Sequence, residues 1–535
     1  MSLLSSTRTM VVGTIASRVT GFLRTAVLAA VLGVQGVAVA FNVANTAPNI
    51  IYDLLLGGVL SSTVVPLLVR AAKDPDGGEA YTQRLLSLTL VALGAASALL
   101  VLLAPQLVDL YASSKVSEAD RHLAVVFARF FLPQVLFYGA GAVLSAYLNT
   151  RDSFSRPMWA PVLNNLVVIV TGLVFLLVPG PAELTSGTIT ATQIGVLGVG
   201  VTLGIVAQTV ALIPALHAVG FRFRLRLDLR GAGLGPAVRL ARWTLLFVVC
   251  NQLAFLVVVR LATGSSALSG DRGYPSYVYA YLLWQLPHAV VAVSLITALL
   301  PAMSRAAADG QTAVLRSQLD RGMRLTAAVL IPPAIGYLVL GRAVATVVFA
   351  HGATTTDQAR FIGLLLGVFA LGLVPFSAYQ LQLRAFYALQ DTRTPTLINL
   401  AVNATLVVAD LTLYAVLPAD LKVVGLAAGQ SVSYLVGIAV CSAVLARRVP
   451  RDPQSHVTRT AVRCLVAALP AALVAALAGW ACTALLGTGP VGALATLASG
   501  GAALGLGYVL AARRLRVAEV AQLTDPVLRR LSRTP

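Results

Sequence analysis

Two arginines, Arg18 and Arg24, interrupt the apolar run TMVVGTIASRVTGFLRTAVLAAVLG. The run is long enough to cross a bilayer, where a guanidinium at the centre costs about 2.5–3.5 kcal/mol on insertion scales. Two such groups in one helix require water, an anion or a counter-charge. Arg24 falls near the middle of the run and Arg18 about two turns nearer its start. Six residues rotate a helix by about 120°, so both side chains can border one wide cavity but cannot share a stripe. A planar guanidinium donates to two phosphate oxygens at once, so arginine suits a phosphate-bearing substrate. Arg18 has a second reading, in which its head reaches the headgroup layer. Asp53, in NIIYDLLLGG, is the candidate counter-charge for either arginine. Arg260, near the extracytoplasmic end of the seventh apolar run, is either a third cavity cation or a headgroup anchor.

A second constellation lies in the eleventh run. Asn399 and Asn403 are one turn apart on one face, with Asp410 farther along. Their oxygens suit a hard cation such as Na⁺, or else they hydrogen-bond neighbouring helices. His288, after Pro287, reads as a packed residue or a proton relay. Cys250, Cys441, Cys464 and Cys482 lie in apolar runs without metal-ligand spacing. The sequence carries no Walker loop, no GxSxG elbow and no HExxH. No enzyme and no cofactor are expected, and Na⁺ or the membrane potential is the expected driving force.

The elements that position these residues follow from composition. The chain has 535 residues, 58% hydrophobic and only 11% charged, with a mean hydropathy of +0.85. A soluble chain of this length needs more charge to cover its surface. Apolar runs of about 20 residues, in place of alternation over about 10, disfavour a β-barrel. The expected fold is all-α and polytopic, with about 14 transmembrane helices over 9–32, 38–68, 83–105, 122–149, 157–179, 193–218, 238–263, 274–304, 321–341, 358–388, 396–416, 421–446, 459–485 and 490–512. The first run reads as a retained helix, not a signal peptide.

The formal charge of +19 sits mostly between the apolar runs, where membrane topology accounts for it, so nucleic acid is not an expected partner. Basic loops, such as those with Arg70 and Lys73, Arg151 and Arg156, Arg222 to Arg230, Arg305 to Arg321, and Arg447 to Arg451, alternate with loops lacking Lys and Arg at 33–37, 180–192, 417–420 and 486–489. Basic loops stay cytoplasmic, so both termini are expected in the cytoplasm. The segment FRFRLRLDLRGAGLGP (221–236) is either an interfacial segment on anionic lipid or an ordinary basic loop.

The chain also repeats itself. TVVPLLVRAAKDPDGG (63–78) resembles ALLPAMSRAAADG (298–310), LYASSKVSEADR (110–121) resembles VFAHGATTTDQAR (348–360), and AYLNTRDSFSRP (146–157) resembles FYALQDTRTP (386–395). Repeats in the same order and orientation imply two six-helix bundles related by an axis along the membrane normal, with a cavity between them. The expected domains are an N-terminal bundle over 1–220, a basic cytoplasmic linker over 221–237, a second bundle over 238–450, and two additional helices with a basic tail over 451–535.

SRVTGFLRTAVLAAVLG (17–33), FNVANTAPNII (41–51), VVPLLVR (64–70), LNTRDSFSRPMWAPVLNN (148–165) and LQDTRTPT (389–396) resemble the MurJ (MviN) family of lipid II flippases, in the multidrug/oligosaccharidyl-lipid/polysaccharide exporter superfamily. The resemblance implies translocation of undecaprenyl-diphosphate-linked peptidoglycan precursor from inner to outer leaflet by alternating access. It implies a cationic cavity to which Arg18 and Arg24 belong, and a tail groove formed by the last two helices. It also implies residence in the bacterial plasma membrane, and as partners lipid II, membrane lipids and cell-wall synthesis proteins, with the chain as a monomer. The chain departs from the pattern at Val39, where an acidic residue is common, and at Tyr52 and Leu282, where arginines are common. Arg260 is the candidate replacement. Two other readings stay open: a cation-coupled exporter of another polyprenyl-linked saccharide or of drugs, and a non-transporting cell-wall scaffold.

Overall fold

The computed structural model describes residues 3–53, 65–226, 228, 234–450 and 455–531. Every regular element among them is helical. The chain divides into two compact units, Met1–Pro275 and Ser276–Pro535.

The first unit runs through α1 (Leu3–Leu32), α2 (Gly36–Asp53), α3 (Val65–Ala71), α4 (Glu79–Leu102), α5 (Ala104–Tyr111), α6 (Glu118–Phe131), α7 (Gln134–Thr150), α8 (Ser155–Leu177), α9 (Ala191–Val210), α10 (Ile213–Ala218) and α11 (Leu234–Ser269). Next come α12 (Tyr274–Pro287), α13 (Val293–Ala308), α14 (Thr312–Phe349), α15 (Thr356–Ala370), α16 (Leu373–Ala388), α17 (Arg393–Val416), α18 (Lys422–Arg448), α19 (Val457–Leu486), α20 (Pro490–Arg514) and α21 (Ala518–Leu531). A π-helical turn, His288–Ala292, joins α12 to α13.

Among the described residues, twelve helices are long and apolar enough to cross a membrane, or thirteen when the bent pair α15 and α16 counts as one span. The expected second span, 38–68, runs through residues 54–64, which lie outside the described residues. Large apolar side chains such as Leu177, Leu473, Trp480 and Leu506 are exposed on these helices. In a bilayer such positions meet acyl chains, so large apolar residues stand on the lipid-facing surface as well as in the core, where Phe127, Phe131, Trp284 and Phe369 are fully buried.

Small residues set the closest packing. Ala467, Ala468, Ala471, Ala472 and Ala475 of α19 are buried. Gly500 and Gly507 of α20 face Ala475 and Ala471, so the two backbones approach without intervening side chains. Tyr508 of α20 donates to the Ala328 carbonyl of α14 at 2.7 Å. In α21, Glu519 accepts from Arg324 of α14 at 2.7 Å.

Like devices recur at equal separation along the chain. Ser117 caps α6 by accepting from the Asp120 N–H, and Thr355 caps α15 by accepting from the Gln358 N–H. Asp152 (φ 57°) precedes α8, and Gln390 (φ 59°) precedes α17 in the same left-handed conformation. In LQDTRTPT, Asp391 accepts from the Thr394 N–H at 2.9 Å and from Arg448 at 2.7 Å, closing the start of α17. Arg151, in LNTRDSFSRP, donates to the Gly77 carbonyl at 2.7 Å and so holds the loop after α3.

The described part of the basic segment after α10, residues 221–226 and 228, has no regular secondary structure and is bonded along α4. The Arg222 carbonyl accepts from Gln83, and the Arg226 N–H donates to Ser87. Arg84 pairs with Asp228 at 2.9 Å.

Candidate substrate site

The site is built on α1, and α8 fixes the orientation of α1. Asn165 of α8 donates to the Ser17 carbonyl at 3.1 Å and to the Thr20 hydroxyl at 3.0 Å. Gly21 lies against the Asn165 amide, where a Cβ would sit at 3.4 Å, in ordinary van der Waals contact. Farther along, Gly172 of α8 receives Val27 and Val31. Two of the sequence motifs, SRVTGFLR and VLNN, therefore act as the two sides of one helix contact.

Arg24 belongs angularly to the stripe of Ser17, Thr20 and Val27, because spacings of three and four residues return to one face. It is half-buried, whereas Arg18 is exposed. The buried Arg24 Nε has no hydrogen-bond partner among the described residues. Its electrostatic neighbour is Tyr138 of α7. The Tyr138 ring lies against Tyr52 of α2, with centroids 4.4 Å apart, and its hydroxyl is 3.5 Å from Asn49 Oδ1. Among the described residues, neither Arg18 nor Arg24 forms an ion pair with Asp53. Asp53 instead accepts from the Gln252 side chain of α11. Tyr138 and Gln252 were not singled out from sequence, because single polar residues in apolar runs carry no spacing signal.

Arg260 has structural partners. Its Nη1 donates to the Asp109 carbonyl at 3.0 Å and the Leu110 carbonyl at 3.1 Å, at the end of α5. A cation at a helix C-terminus also opposes the negative end of the dipole. Arg121 holds the Asp109 carboxylate through two bonds, at 2.6 and 2.7 Å. This places α5, α6 and α11 around one acidic group.

The eleventh-run constellation lies on the continuous helix α17. Asn399 and Asp410 are buried, and Asn403 is half-buried. A rise of about 1.5 Å per residue separates Asn403 from Asp410 by about 10 Å. Cation–oxygen bonds are about 2.3–2.6 Å for Ca²⁺-sized ions, so the three residues cannot ligate one ion together. Both Asp410 oxygens are buried without a hydrogen-bond partner among the described residues. His288 shares a hydrogen bond of 2.9 Å with Ser377 and packs on Phe376. The four cysteines are free, and the described residues contain no cluster of His, Cys, Asp or Glu able to hold a metal ion.

A family model described as lipid II flippase MurJ matches residues 28–498. The chain belongs to the MurJ family. A probable lipid II flippase MurJ from Rhizobium meliloti is 26% identical over 414 residues, covering 76% of this chain and 75% of the relative. A lipid II flippase MurJ from Burkholderia cenocepacia is 28% identical over 414 residues, covering 76% of each chain. A solved lipid II flippase MurJ in an inward closed conformation matches the fold with a TM-score of 0.74 at 18% identity, over 95% of this chain and 99% of the other. An inward-facing multidrug resistance transporter of the MATE family, in the MOP superfamily, matches with a TM-score of 0.64 at 15% identity, over 80% of this chain and 95% of the other. Membership makes the chain a transporter and not an enzyme, a multi-pass protein of the bacterial plasma membrane.

Proposed function

We propose that the chain moves lipid II, the diphosphate-linked peptidoglycan precursor, from the inner to the outer leaflet by alternating access, with Arg24 holding the diphosphate. The observation that carries the role of Arg24 is its half-buried guanidinium, with Nε unpartnered among the described residues, inside a membrane span. A diphosphate leaving the headgroup layer loses hydration worth several kcal/mol per charge. Charge-assisted hydrogen bonds of about 1.5–3 kcal/mol each replace it. Arg18, exposed and nearer the start of α1, receives the headgroup first, and Asp53 moderates the positive charge. Arg260 belongs mainly to the α5 end, so it does not take the place of the arginines absent at Tyr52 and Leu282.

The proposal extends to architecture. Fourteen spans, two six-helix bundles in parallel repeat and two additional C-terminal helices account for the recurring caps and left-handed residues. The alternation of basic loops with loops lacking Lys and Arg supports cytoplasmic termini. The proposed domains are 1–220, 221–237, 238–450 and 451–535, whereas the compact units divide at Pro275, after α11. The chain acts as a monomer, driven by Na⁺ or the membrane potential. Asn399 and Asn403 form the cation candidate, and Asp410 is a separate group two turns away. Loss of Na⁺ dependence in Asn403→Ala at normal transport capacity supports that assignment, and unchanged Na⁺ dependence removes it.

The deciding experiment is depletion in the native host, followed by measurement of which leaflet holds labelled lipid II. Accumulation in the inner leaflet, reversed by the wild-type chain, is the expected result. Normal outer-leaflet arrival after depletion would refute the function.

A further inference from the structure

Aromatic residues in the second unit are packed into a closed cluster. Trp284, stacked on Tyr434 and tilted against Phe376, is fully buried there. The tyrosine pair on α2 and α7, of which Tyr138 neighbours Arg24, is different. Tyr52 and Tyr138 are both half-buried, with rings 4.4 Å apart and inclined by 46°. The Tyr138 hydroxyl has Asn49 Oδ1 at 3.5 Å, the long limit of a hydrogen bond, and Asn49 is itself exposed. Its donor is therefore weakly committed. Tyr138 thus accompanies a guanidinium whose buried Nε is unpartnered among the described residues, and Tyr52 lies against Tyr138, with Asp53 as an electrostatic neighbour of both rings.

We propose that Tyr52 and Tyr138 form an uncharged hydrogen-bonding shelf that holds the second phosphate of a polyprenyl diphosphate whose first phosphate sits on Arg24. This rests on the reading of Arg24 as the diphosphate residue. A second cation this close would repel Arg24 in the empty protein and add its own cost of insertion. A phenol donates to an anion without either penalty, and its ring is held in place by the neighbouring ring. The shelf makes the site selective for two phosphates over one.

The test measures binding of farnesyl diphosphate and farnesyl monophosphate to the purified full chain. Tyr138→Phe keeps the ring and removes only the hydroxyl, so folding is preserved. A hydrogen bond to a charged group is worth about tenfold to a hundredfold in affinity. Tyr138→Phe is expected to weaken diphosphate binding by that factor and to change monophosphate binding by less than about twofold. Adding Tyr52→Phe should deepen the loss for the diphosphate alone. Equal weakening of both ligands, or no change in either, overturns the shelf. Arg24→Ala separates the two readings. Lost binding in Arg24→Ala with unaltered binding in Tyr138→Phe overturns the shelf alone, and unaltered binding in Arg24→Ala overturns the Arg24 reading together with the shelf.

Discussion

Gly429 of α18 lies directly against the carboxylate of Asp410 on α17, with no space for a side chain between them. A methyl group at this position would strike Oδ1. Gly429→Ala should therefore push α17 and α18 apart and destabilise the chain by about 1–3 kcal/mol. Thermal unfolding of the purified protein measures this, and the double variant Gly429→Ala, Asp410→Ala should recover part of the loss. Undiminished stability in the single variant would contradict the close contact.

Arg24→Ala is expected to abolish flipping while the protein still inserts. Arg24→Lys keeps the charge but loses the bidentate fork, so it should be impaired and not dead. Arg18→Ala should be milder than Arg24→Ala, because Arg18 is exposed and nearer the start of its helix. Complementation of a depleted strain, with membrane levels followed by blot, ranks the three variants. Full growth on Arg24→Ala at normal expression would remove the diphosphate clamp.

Much of this site was legible because an arginine inside an apolar run is conspicuous whatever surrounds it. Tyr138 was not legible, since a tyrosine in a membrane helix has no distinguishing period and its role depends on α2 and α7 meeting. The same limit applies to Asp53. Its charge suggested an arginine partner, but the partner is Gln252, and only the packing of α11 could reveal a neutral one. Local devices were easier to read. The repeats at 110–121 and 348–360 lead into helices with matching caps, because capping depends on a few adjacent residues. The run at 358–388 read as one span, and the bend between α15 and α16 escaped notice because Leu371 and Gly372 do not break hydropathy. The motifs LNTRDSFSRP and LQDTRTPT carried the family resemblance, yet Arg151 and Asp391 bind loop and helix ends.

Asp109 supplies a pH dependence. Its hydrogen bonds from Arg121, opposed by slight burial and reinforced by the charges of Arg121 and Arg260, hold its carboxyl below the usual carboxylate range. A lowered folded value means the pair contributes fully above the unfolded carboxylate value of about 3.9 and is lost as pH falls through the folded value. Stability should be indifferent to this group at neutral pH and should decline only in acid. Asp109→Asn should flatten that acid decline, which thermal unfolding across acidic buffers can measure. An unchanged acid limb in Asp109→Asn would show that other carboxylates set it.

Orientation is open to labelling. In a background lacking the four native cysteines, Thr185→Cys and Thr488→Cys should react with an impermeant thiol reagent added to intact cells, and Pro450→Cys should not. Reaction at 450 from outside would invert the assignment.

The π-helical turn at His288–Ala292 carries a further consequence. A π turn holds about one residue more than the α turns on either side. The polypeptide here contains one supernumerary position, accommodated as a local swelling that keeps α12 and α13 in one span. Removing a single residue from 288–292 would restore an unswollen helix and turn everything beyond it by about 100°. Pro301 and Arg305 would then be swung to another side of the span. The swelling is thus a register key: one amino acid decides which side of α13 meets the rest of its unit.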